Sequence, residues 1–130
     1  MNDLELKKLK NKYMDAANSR VSKYIEKNTA VLDQYLESTL RHLQAQKVKE
    51  VKEFSYQLLS MAKSFGRSDI TNVCEIIYKS MCTEKYSNNE DLHEVFAQSL
   101  EKLSKLQNPD QKIENEVIKD LYLAMRKANE

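Results

Sequence analysis

From Val48 to Met81 the chain reads VKEVKEFSYQLLSMAKSFGRSDITNVCEIIYKSM. In its first half Val48, Val51, Ser55, Leu58, Ala62 and Phe65 step by threes and fours. That interval stacks side chains on one face of an α-helix. Gly66 follows at once, where a left-handed C-terminal cap is expected. Ser68-Asp69 then offers an N-cap and an anionic first turn. Ile70, Val73, Cys74, Ile77 and Met81 resume the helical spacing. The stretch is a helical hairpin that turns at Gly66.

The same periodicity continues on both sides. Towards the N-terminus lie Leu32, Leu36, Leu40 and Leu43, then a plausible break between Gln44 and Lys47. Before them come Leu6, Leu9, Tyr13, Ala17, Val21 and Tyr24. These two stripes allow one long helix, but Asn28-Thr29 favours cap geometry and predicts a bend there. Towards the C-terminus the polar stretch Thr83–Asn89 predicts a loop, and Ser87-x-x-Glu90 fits a capping box. Leu92, Val95, Phe96, Leu100, Leu103 and Leu106 mark the next helix. Asn108-Pro109 predicts a cap with Pro at the first helical position. The last stripe is Ile113, Val117, Leu121 and Met125, widened by Ile118 and Tyr122. The expectation is a single all-α domain over 1–130, an antiparallel four-helix bundle with additional N-terminal and C-terminal helices.

Composition agrees. The 130 residues include one Gly, one Pro and no Trp. Sheets, tight turns and phosphate-cradling loops depend on Gly and Pro. A P-loop, a dinucleotide-binding fingerprint and a nucleophile elbow each need several glycines and are excluded. Lys plus Arg number 21 against 20 Asp plus Glu, a formal net charge of +1. This balance makes no case for nucleic acid or an anionic membrane. Lys7, Lys8, Lys10 and Lys12 form the one local bias, partly offset by Asp3 and Glu5, and read as a wet helix side. Apolar runs are too short to span a membrane, and the start has no apolar signal core. A soluble cytoplasmic protein is expected.

Few residues suggest chemistry. His42 and His93 have no Cys or second His at ligand spacing and read as surface or boundary residues. Glu90-x-x-His93 is a single copy of a motif that di-iron bundles use twice. The acidic group Glu90, Asp91 and Glu94 suits a helix start. Cys74 and Cys82 match neither zinc nor CxxC spacing and read as reduced, buried thiols. The seven tyrosines read as boundary residues. No metal and no cofactor is expected.

The stretch Tyr56–Tyr78 resembles the central hairpin of a histidine-containing phosphotransfer (HPt) domain. That family's pattern is His-x-Leu-Lys-Gly, then small residues, an apolar residue and a Gly, followed by a helix with apolar, often Cys-Glu, positions. Leu58, Ala62, Phe65, Gly66, Ile70, Val73, Cys74, Glu75 and Ile77 fit it. The resemblance covers about 30–106, from the helix and short break over Val31–Val51 to Leu92–Leu106, and leaves 1–28 and 109–130 as flanking helices. The residues that carry the reaction are absent. Tyr56 stands at the phosphoaccepting His, Leu59 at the Lys and Ser60 at the Gly.

A tyrosine phosphate is a stable ester, and the phenol's pKa is about 10. Tyr56 therefore cannot replace an imidazole in a reversible relay. Leu59 removes the cation that would neutralise a phosphate. The resemblance implies a degenerate, non-catalytic pseudo-phosphotransfer protein of two-component (phosphorelay) signalling. Tyr56, Leu59, Ser60 and Lys63 share one helix face, flanked by Arg67. In the family this face docks receiver domains. The implied partner is a response-regulator receiver domain or a sensor histidine kinase, bound without phosphoryl transfer. The alternative is an unrelated helical adaptor, chaperone or assembly subunit that uses another apolar helix face.

Overall fold

The computed structural model describes residues 2–130, leaving out the side chains of 16–29. It is all-helical over the described residues: α1 (Asp3–Gln44), α2 (Val48–Ser64), α3 (Ser68–Met81), α4 (Glu84–Ser87), α5 (Glu90–Ser104) and α6 (Gln111–Ala128). The chain divides into two units, Met1–Val31 and Leu32–Glu130. In the first, Leu4, Leu6, Leu9, Tyr13 and Met14 are exposed. Ala17, Val21 and Tyr24 of the expected stripe lie outside the described side chains. The bend expected at Asn28-Thr29 does not form, since α1 is helical through both residues. Neither is Gly or Pro, and each costs a helix interior at most about 0.7 kcal/mol relative to Ala.

The second unit is a helical bundle. Its core joins Leu32, Leu36 and Leu43 of α1, Val51, Leu58 and Ala62 of α2, and Ile70, Val73, Cys74 and Ile77 of α3. Leu92, Phe96, Leu100 and Leu103 of α5 complete it, with Val117 and Leu121 of α6. Each fully buried aliphatic side chain contributes about 1.5–3 kcal/mol. Leu40 of the expected α1 stripe is only half-buried, and Thr39 takes the fully buried place. The Thr39 hydroxyl is satisfied by donating to the Tyr35 carbonyl at 2.8 Å.

Side-chain pairs fix the directions of the helices. Phe54 of α2 lies between His42 and Tyr35 of α1, with ring centroids 4.9 and 6.3 Å away. Tyr56 of α2 meets Tyr78 near the far end of α3, at 5.4 Å. Both pairings require antiparallel neighbours. Arg67, at the start of α3, reaches the Leu103 and Leu106 carbonyls at the end of α5, so α3 and α5 are antiparallel as well. Asn72 bonds Glu114 early in α6, and Tyr86 bonds Asn129 just past its end. Thus α6 runs in the direction of α3.

Several caps differ from expectation. Gly66 does sit in the left-handed region, at φ 70°. However, α3 begins after Arg67, with no side-chain cap, and Ser68-Asp69 lies inside its first turn. The Asp69 carboxylate is drawn to the Arg67 guanidinium rather than to backbone amides. The expected loop Thr83–Asn89 contains the helical turn α4, which takes up Ser87. Asn89, not Ser87, caps α5 by accepting from the Leu92 amide at 2.9 Å. Likewise α6 is capped by Asp110, which accepts from Lys112 and Ile113, instead of by Asn108. A charged oxygen placed two and three residues before free amides outcompetes the earlier Asn.

Candidate functional site

Helix α2 carries the face singled out by the sequence. Its buried stripe Val51, Ser55, Leu58 and Ala62 points into the bundle. This rotation turns Tyr56 and Ser60 outward and leaves Leu59 at the boundary. Tyr56 is 56% exposed. Leu59 packs against the core from its edge. The Ser60 hydroxyl donates back to the Tyr56 carbonyl at 3.2 Å, a local bond that leaves no specific task for it.

Tyr56, Leu59 and Lys63 line one groove of about 620 Å³ between α2 and α3. Its other wall holds Thr71, Asn72, Glu75, Tyr78 and Lys79, and Gly66 and Ser68 close one end. No residue of α5 or α6 lines it. The α3 wall was not read from the sequence, although a signal for it exists. Tyr56 and Tyr78, Leu59 and Glu75, and Lys63 and Thr71 stand at equal sequence distances either side of Arg67. An antiparallel hairpin turning at Gly66-Arg67 must bring such pairs together.

Arg67 belongs elsewhere. Its guanidinium forks onto Asp69 at 3.0 and 2.9 Å and donates to the Leu106 and Leu103 carbonyls at 3.2 and 3.0 Å. Asp69 is fully buried. This is a clamp between the α2–α3 turn and the end of α5, and four of the guanidinium's N–H groups are engaged in it. It adds charge-assisted bonds to carbonyls at and just past the helix C-terminus, where intrahelical donors run out. Of the five expected contact residues, three line the groove, Ser60 sits beside it and Arg67 is structural.

The remaining candidates separate widely. His42 is a boundary residue that stacks on Phe54 and donates from Nδ1 to the Ser38 carbonyl at 2.6 Å. His93 is not a surface residue as expected, being 1% exposed. Its Nε2 donates to the Ser87 carbonyl at 2.7 Å, and its buried Nδ1 has no hydrogen-bond partner among the described residues. Ser87 lies six residues before His93, and the intervening turn α4 folds its carbonyl back to the ring. Cys74 is buried, and burial pushes its thiol well up from the ordinary range. Cys82, expected to be buried, is exposed because α3 ends one residue before it. Among the described residues no three His, Cys, Asp or Glu side chains converge as a metal site. No helix among them is long and apolar enough to cross a membrane.

Comparison with protein-family models, with curated proteins and with solved structures found no match to this chain.

Proposed function

We propose that the protein is a non-catalytic docking module that binds a protein partner through the α2–α3 groove. One observation carries this reading: Tyr56, Leu59 and Lys63 line a single open groove beside Tyr78. Tyrosines such as Tyr56 and Tyr78 in a groove are the kind of anchor on which interfaces concentrate binding energy, and Leu59 adds apolar surface beside them. The HPt resemblance supplies the partner class. On it, Tyr56 occupies the phosphoaccepting position, and the partner is a response-regulator receiver domain or a sensor histidine kinase. Neither histidine offers an imidazole at this face, since His42 stacks on Phe54 and His93 is buried. The module would compete with a true phosphotransfer protein or act as an adaptor in phosphorelay signalling. Two unpaired cysteines suit a reducing compartment, which is the support for a cytoplasmic location.

The test is to mix the purified protein with a phosphorylated receiver domain and follow both complex formation and label. A complex without label on this chain is expected. Label on His42 or His93, or the absence of any receiver complex, overturns the assignment.

A second reading rests on the exposed Leu6, Leu9 and Tyr13 of the Met1–Val31 unit, which step along one helical stripe. An adaptor could engage its partner through that face instead. Leu9→Glu would then abolish binding that Tyr56→Asp leaves intact.

A further inference from the structure

The charge around the groove points to the chemistry of its occupant, on the reading that this groove docks a protein. Lys63 stands on the α2 wall and Lys79 on the α3 wall. Lys52 places its ammonium 5.9 Å from the centre of the Tyr78 ring, extending the basic rim past the tyrosine pair. The groove's one carboxylate, Glu75, is already held by Lys79 at 3.0 Å. Lys52 and Lys63 have no ion-pair partner among the described residues. No other carboxylate lines the groove. An apolar and aromatic floor is thus bordered by unspent positive charge, on a chain whose overall charge is only +1.

We propose that the occupant is an acidic amphipathic segment of a partner protein, with an apolar side chain seated between Tyr56, Leu59 and Tyr78 and carboxylates facing Lys52 and Lys63. Complementary charge of this kind raises the association rate and rejects basic competitors. The apolar contact supplies most of the residence time.

The experiment titrates isotope-labelled full-length protein with two synthetic helical peptides that share a Leu-Tyr face. One carries Glu on its flanks and the other Lys. The Glu peptide should shift the amide resonances of Gly66, Ser68 and Asn72 and bind about tenfold more tightly than the Lys peptide. The difference should vanish near 1 M salt, where the screening length is about 3 Å. The double variant Lys52→Glu/Lys63→Glu should reverse the preference. Equal affinity for the two peptides overturns the acidic preference and leaves the docking reading standing. No groove response to either peptide overturns the inference too, whereas the docking reading is decided separately by the receiver experiment.

Discussion

Arg67 and Asp69, two residues apart, form a two-point ion pair whose guanidinium also closes the end of α5 through the Leu103 and Leu106 carbonyls. The Asp69 side chain is 1% exposed and the Arg67 side chain 14%. One cation therefore serves a buried carboxylate and two helix-terminal acceptors at once. Arg67→Ala should lower unfolding free energy by about 3–5 kcal/mol, because it strands a buried charge. Arg67→Lys should recover only part of this, since an ammonium lacks the planar fork. Urea unfolding curves of the two variants would measure both effects. If Arg67→Ala unfolds like the parent, the pair is not the clamp described.

Tyr56 and Leu59 lie outside that clamp, so the groove can be altered without dismantling the bundle. Tyr56→Asp exposes no core but loses the ring contact with Tyr78, and should cost about 0.5–1.5 kcal/mol. Leu59→Glu loses some edge packing and should cost about 1 kcal/mol. Both should weaken partner binding at least tenfold. Calorimetric titration with the receiver domain, beside a thermal melt, separates the two effects. Binding that survives both substitutions moves the interface to another face.

Helix periodicity made the α2–α3 hairpin legible, because Leu58, Ala62, Ile70, Val73 and Ile77 have only one way to bury together. Most cap positions were not legible. Ser68, Ser87 and Asn108 are all good N-cap residues by type, yet each is displaced by longer-range contacts or a better-placed oxygen. Asp69, for instance, answers to Arg67 and through it to α5, and sequence spacing does not encode that partner. The α2 half of the groove was readable as a helix face. The α3 half depended on the hairpin register. The Arg67 clamp is not legible, because a cation beside a candidate site looks the same in sequence whether it faces solvent or a buried carboxylate.

Among the described residues two occupy the left-handed region, Gly66 at φ 70° and Gln46 at φ 56°. They should respond to substitution in opposite directions. A Cβ added at Gly66 meets nothing within 4 Å, so Gly66→Ala has no steric cost from neighbours. It retains the backbone penalty of about 1–2 kcal/mol. Gly66→Asn should cost less, because Asn tolerates this region. Gln46→Gly relieves the same strain in the α1–α2 turn and should stabilise by up to about 1 kcal/mol, after the extra entropy lost by glycine. Melting temperatures of the three variants give the signs. A stabilising Gly66→Ala would mean that the turn is not held in this conformation.

The two cysteines should differ in reactivity and in their effect at high pH. With a thiol reagent, native protein should react rapidly at the exposed Cys82 and not at the buried Cys74, and denatured protein should react at both. Burial raises the Cys74 thiol from its ordinary 9.0, so the folded state keeps a proton that the unfolded state releases. Above that ordinary value the unfolded chain binds fewer protons than the folded one. Stability from this group is therefore intact below about pH 9 and falls by about 1.4 kcal/mol per pH unit above it. Other groups also titrate there, so the measurable quantity is the difference between parent and Cys74→Ala unfolding free energies across pH 8–11. The variant should start less stable, because it leaves a cavity in the core. Its deficit should shrink as pH rises past about 9. A deficit that stays constant to pH 11 would mean that Cys74 ionises as readily in the folded protein as in the unfolded chain.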